Sequence, residues 1–143
     1  MIWFKPYSLS DITGMERSIL KNLGIVFTNI GTDTLTATMP VDERTHQPYG
    51  LLHGGATCVL AETLGSVASL LVIDPDKKFA VGSVITANHL RPVREGIVTG
   101  HCRAIHLGRT KHVWEINVTN EQGKLIARSE LTCAVTDKVE TTA

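Results

Sequence analysis

Residues 54–73 form the longest mostly apolar run of the chain, and only one residue in it, Glu62, is charged. The length would suit a membrane span. However, Glu62, Thr57, Thr63, Ser66, Ser69 and three glycines interrupt the apolar surface. The run therefore reads as a helix over Gly54 to Val72, apolar around almost its whole circumference and buried on most sides. The rest of the chain has to supply the cover, and 143 residues make one domain with a core large enough to do so.

The flanking segments read as the cover. Thr34 to Val41 alternates Leu35, Ala37 and Met39 against Thr34, Thr36 and Thr38, the period of a half-buried strand. Residues 25–30 pair with it across Gly31-Thr32-Asp33. Ser8 to Leu23 reads as a helix, capped at Ser8 or Ser10, with Ile12, Met15, Ile19 and Leu23 on one face and Gly24 as its stop. Past the long helix, β-rich segments cover Phe79 to Val93, Ile97 to Ile105, Lys111 to Thr119 and Lys124 to Thr136. Turns stand at Arg94-Glu95-Gly96 and Asn120-Glu121-Gln122-Gly123. Connections this short predict antiparallel meanders of consecutive strands. Asp137 to Ala143 is polar and reads as a tail. The fold class is α+β, an antiparallel sheet wrapped around one central helix.

Fourteen basic and fourteen acidic side chains cancel, with 43% apolar and 20% charged residues. That balance excludes a bulk electrostatic grip on nucleic acid or an acidic membrane, and it lowers the repulsion between copies. Three widely spaced cysteines, Cys58, Cys102 and Cys133, contain no CxxC and fit a reducing compartment. The first residues lack a signal-peptide pattern, so the expected location is cytoplasmic.

Glu62 is the residue that does not fit its surroundings. An unpaired buried carboxylate costs several kcal/mol, and no Lys or Arg lies within four positions. It either faces solvent at a helix edge, finds a distant Arg, or does chemistry. His53-Gly54-Gly55 opens the helix, where unsatisfied amides and a partial positive charge can polarise a carbonyl oxygen. The plain alternative is a tight turn with close helix–sheet packing. Gly55 and Glu62 are two turns apart on one stripe, with Cys58 and Ser66 beside Glu62. Gln47 can hydrogen-bond the same carbonyl or a water, or be an exposed loop amide. His53 can orient the loop or cap the helix. Ser66 can bind the carboxylate or back-bond within its helix. Residues 88–112 hold Arg91, Arg94, Arg103, Arg109 and Lys111 against Glu95, with His89, His101, His106 and His112 among them. This is either a phosphate-binding patch or a solvated sheet face, and the histidines lack metal-ligand spacing.

Three segments, Gln47-Pro48-Tyr49-Gly50-Leu51-Leu52-His53-Gly54-Gly55, Ala61-Glu62-Thr63-Leu64-Gly65-Ser66 and Ala87-Asn88-His89-Leu90-Arg91-Pro92, closely resemble the hotdog-fold acyl-CoA thioesterases of the phenylacetate type. His106-Leu107-Gly108-Arg109 agrees in order and spacing. The resemblance runs from residue 1 to about 136. It implies hydrolysis of acyl-CoA thioesters with aromatic or bulky acyl groups, such as 1,4-dihydroxy-2-naphthoyl-CoA, or of carrier-protein thioesters. It implies Glu62 as nucleophile or general base, the Gly54 amide as oxyanion hole, Gln47 at the carbonyl or a water, and His53 and Ser66 as supports. Gly55, Thr63, His89, Arg91 and Arg109 would bind the substrate and its coenzyme A. It implies a homodimer at least, usually a dimer of dimers, with sites shared across the interface. No metal or separate cofactor is implied. Gly82-Ser83-Val84-Ile85-Thr86 departs from the Gly-Leu-Glu-Ile-Asn of similar proteins, a difference that bears on the acyl pocket. Two rivals are a hydratase/dehydratase using His53 with Glu62, and a non-catalytic acyl-CoA-binding module. Enoyl absorbance against thiol release separates the first from a hydrolase, and binding without turnover identifies the second.

Overall fold

The computed structural model describes residues 1–14 and 18–139. After a 3-10 turn at Leu9–Asp11 come α1 (Ile19–Leu23), β1 (Val26–Ile30), β2 (Thr34–Pro40), α2 (Gly54–Val72), β3 (Lys78–His89), β4 (Ile97–Leu107), β5 (Lys111–Thr119) and β6 (Leu125–Asp137). One antiparallel sheet has the order β1-β2-β4-β5-β6-β3 and curls around α2. This is the hotdog architecture that the sequence predicts. Alternation puts Leu35, Ala37 and Met39 of β2, Trp114, Ile116 and Val118 of β5, and Ala127, Leu131 and Cys133 of β6 against the helix, all fully buried.

Three expectations need correction. First, the helix over Ser8–Leu23 is replaced by two short elements, each with its own start. The Ser8 N–H donates to Asp11 Oδ2 at 2.7 Å, and Ser18 Oγ accepts from the Leu20 N–H at 3.3 Å. Thr13 and Gly14 between them are not helical, and an interior glycine costs a helix about 1 kcal/mol. Met15 lies outside the described residues. Gly24 does stop α1, in the left-handed region at φ 70°.

Second, β3 pairs with β6, not with β4. The segment 90–96 steps across the end of the sheet. Seven residues reach about 23 Å, and β4 lies about 14 Å away across three strand spacings. A short connection therefore does not force neighbouring strands to pair. The crossover is tied down on its way: the amides of Leu90 and Arg91 donate to Ile126 O, Leu52 N–H to Val93 O, and Val41 N–H to Gly96 O.

Third, the end of the chain is not all tail. Asp137 closes β6 opposite Lys78 and forms an ion pair with it, and the Lys138 N–H bonds to Lys77 O.

The helix α2 keeps one side open. Ala56, Thr57, Leu60, Ala61, Leu64, Ala68 and Leu71 are buried against the sheet. Gly55, Val59, Glu62, Ser66 and Leu70, at steps of three and four, are not. On the closed side, Ser69 is fully buried. Its hydroxyl accepts from Trp114 Nε1 at 2.7 Å and meets His112 Nδ1 at 3.0 Å. With Cys133 Sγ, which donates to Gly65 O at 3.8 Å, these side-chain hydrogen bonds tie α2 to the sheet and fix its rotation where apolar packing alone is not selective.

Candidate active site

The loop before α2 is held by its own hydrogen bonds. Buried Thr45 donates its hydroxyl to Pro40 O at 2.7 Å, accepts from the Asp42 N–H at 3.3 Å, and offers its carbonyl to the His53 N–H at 2.8 Å. Nothing in the sequence pattern marked Thr45, because its role depends on where the loop folds back. The Asp42–Arg44 ion pair braces the same turn and holds the Asp42 carboxyl at about 2.

His53 is the helix cap: its Nδ1 accepts from the Gly55 N–H at 2.7 Å. This leaves the ring proton on Nε2 and takes Gly55's amide out of play. The amides of Ala56 and Thr57 go to His53 O. Among the described residues, the Gly54 N–H is the first-turn amide left without a partner. It opens onto a cavity of about 380 Å³ lined by Gln47, Leu51, Gly54, Thr57, His89 and Arg91. Gln47 Oε1 accepts from the Tyr49 N–H, so its Nε2 is the donor left for a ligand. The His89 ring stands over Gly54, where an added Cβ would come within 2.9 Å of Nε2. A helix amide, an amide side chain, an imidazole and a guanidinium thus converge on one concavity.

Glu62 is not there. It is exposed on the open stripe of α2, in a groove of about 420 Å³ lined by Leu20, Val59, Glu62, Thr63, Ser66 and Leu70. Burial therefore does not set Glu62 apart within this chain, and its solvent-facing position is the one found. The two cavities share no lining residue. Eight residues separate Gly54 from Glu62 along the axis, about 12 Å. Neither thiol near Glu62 is set up as a nucleophile. Burial, then the Glu62 charge, pushes the Cys58 thiol up. Burial pushes the Cys133 thiol up, against opposing hydrogen bonds from Ser69 and Ser66.

The basic residues of 88–112 do not form one patch within the chain. Arg91 lies at the Gly54 cavity, Arg103 on the outer sheet face, and Arg109 beyond the far end of β4, about 30 Å away. The histidines disperse likewise: His89 at Gly54, His101 against Thr119, and His112 under α2. Among the described residues no three His, Cys, Asp or Glu side chains converge as metal ligands would.

Comparison with known proteins adds to this geometry. A model of the thioesterase superfamily matches residues 49–127. The chain is 49% identical over 136 residues to the 1,4-dihydroxy-2-naphthoyl-CoA hydrolase of Escherichia coli, covering 94% of this chain and 99% of that one. It is 47% identical to the proofreading thioesterase EntH of Cronobacter sakazakii, covering 94% and 98%. Thioesterase HI1161 of Haemophilus influenzae superposes with a TM-score of 0.94 at 44% identity, over all of both chains.

Proposed function

Since the chain belongs to the thioesterase superfamily and is a thioester hydrolase, we propose that it cleaves acyl-CoA thioesters bearing aromatic or bulky acyl groups, 1,4-dihydroxy-2-naphthoyl-CoA among them. The name of the Escherichia coli relative supports this substrate. The reading rests on one observation above the others: a helix-terminal amide, Gly54 N–H, left without a partner beside the available Nε2 of Gln47. Together they stabilise the oxyanion as the thioester carbonyl becomes tetrahedral. One such donor is worth about 2.7–4 kcal/mol. Glu62 takes a proton from the water that bonds to the carbonyl carbon, or attacks that carbon itself to give an anhydride that water opens. On either route the C–S bond breaks, the thiolate leaves as coenzyme A and the acid is released. Arg91, at the Gly54 cavity, meets the phosphates of coenzyme A, Arg109, beyond the far end of β4, reaches them only from another copy, and Thr63 and Ser66 line the acyl side. No metal or separate cofactor enters these steps.

Gly54 and Glu62 are too far apart on one helix to meet at one carbonyl, so the working site takes Glu62 from a second copy. The twelve-residue edge strand β3, with Phe79, Val81 and Val84 exposed, supports this pairing. The assembly is a homodimer at least, and a dimer of dimers follows the family pattern. Free Cys58, Cys102 and Cys133 fit a cytoplasmic setting. A second reading, proofreading of carrier-protein thioesters, has the name of the EntH relative in its favour.

The test is a thiol-release screen over aromatic and aliphatic acyl-CoAs and matched carrier-protein thioesters. The highest kcat/KM is expected on aryl-CoAs. Binding without thiol release would overturn hydrolysis, and preference for carrier-protein thioesters would select the second reading.

A further inference from the structure

Gly82 lies inside β3, opposite Cys133 of β6, and its strand bulges immediately after it, so that Ser83 has no counterpart on β6. A glycine within a strand weakens it by about 0.5–1 kcal/mol relative to alanine. Backbone conformation does not demand it here. The left-handed glycines of this chain are Gly24, Gly50, Gly96 and Gly123. What occupies the missing side chain's place is the carboxylate of Glu62: a Cβ on Gly82 would stand 2.6 Å from Glu62 Oε1. The other strand glycine, Gly100, lends its space to the core, against Leu64 and Leu60, and helical Gly65 does the same against Leu131. Among the described glycines of ordinary backbone, Gly82 is the one whose space holds a carboxylate.

We propose that Gly82 is a positioning residue for the hydrolytic reaction: the side-chain-free position at the start of the β3 bulge is the seat that fixes where the Glu62 carboxylate stands. This rests on the reading of Glu62 as the reacting carboxylate. The strand approaches α2 from the side, and bulges of this kind re-aim side chains next to functional sites. Outside Glu62, a methyl group at position 82 finds its nearest contact, Leu131 Cδ1, at an ordinary 3.4 Å. The fold therefore accommodates it, and the movable end of Glu62 yields by nearly 1 Å. Misplacement of a reacting group on that scale costs about 100-fold in rate.

The experiment compares Gly82→Ala with wild type in thiol release from an aryl-CoA and in thermal melting. The expected result is a kcat about 100-fold lower, a KM within about threefold, and a Tm equal to or above wild type. A purely structural glycine would instead lower Tm. Glu62→Asp draws the carboxylate back from position 82. In that background Gly82→Ala is expected to add no further loss, because the two residues act through one contact. A Gly82→Ala enzyme with wild-type kcat overturns the proposal. So does a loss that comes with a lowered Tm, or one that is additive with Glu62→Asp. Wild-type turnover by Glu62→Ala would overturn the reading of Glu62 itself. An inactive Glu62→Ala beside a fully active Gly82→Ala would overturn the role of Gly82 alone.

Discussion

The first turn of α2 and the open stripe two turns further on, the two halves of the proposed site, are built in opposite ways. The first turn is assembled from backbone and closed by short-range bonds. His53 caps it, Thr45 anchors the cap, and the crossover 90–96 walls it. It is finished within one chain. The open stripe has a carboxylate, small or apolar neighbours and no side-chain hydrogen bond to Glu62 among the described residues. Electrostatic stabilisation needs fixed dipoles, which a helix end supplies. The carboxylate is seated by packing beside Gly82 rather than by hydrogen bonds, and on the proposed reading a second copy brings it to the carbonyl.

The sharpest way to break the contrast is Glu62→Ala. Thiol release should fall about 10²–10⁴-fold, the usual contribution of a general base, while the melting temperature holds within a degree or two. Gln47→Ala should cost about 100-fold in kcat, through the oxyanion side alone. Mixing the two inactive variants then tests where Glu62 comes from. If each site draws Glu62 from its neighbour, a mixed dimer holds one intact site, and random mixing restores about a quarter of wild-type activity. If each site is made within one chain, nothing returns.

The closed side of the same helix should respond in the reverse sense. Ser69→Ala leaves Trp114 Nε1 and His112 buried without their partner. A loss of about 1–3 kcal/mol in unfolding free energy is expected, with kcat nearly unchanged when assayed well below the melting point. The smallest effect is on pH. Burial, with the nearby His106, holds the His112 imidazole below its usual value. The unfolded chain therefore takes up a proton that the folded chain refuses. Stability from this source is complete above about pH 6.5 and is lost as pH falls from there toward the lowered folded value. Melting at pH 7.5 and 5.5 should show the drop, and His112→Gln should flatten it.

Much of this was legible beforehand, for identifiable reasons. The bounds of α2 and β5 match the expected ones because capping at His53 and strict alternation from Lys111 are local signals. The split of the first helix was missed because two serines compete as starts and a glycine separates them. The strand order was missed because pairing partners are chosen by the whole sheet, and loop length only limits them. Glu62 stands out in the sequence as the lone charge of an apolar run, but the single chain leaves it exposed rather than buried. Its proposed role comes from the resemblance, not from the periodicity. Gly82 was visible only as part of a departure from related sequences. Its meaning needs the helix edge beside it.

The crossover 90–96 has one more consequence, for folding. It carries Arg91 past Gly54 only after β3 has docked on β6 and β4 on β2, pairings between residues 38–59 and 57–69 positions apart. Contacts of such sequence separation close late. The wall of the cavity is therefore among the last surfaces to form, so partly folded chains do not yet present it. Activity in a nascent population should trail secondary structure and report completed chains alone.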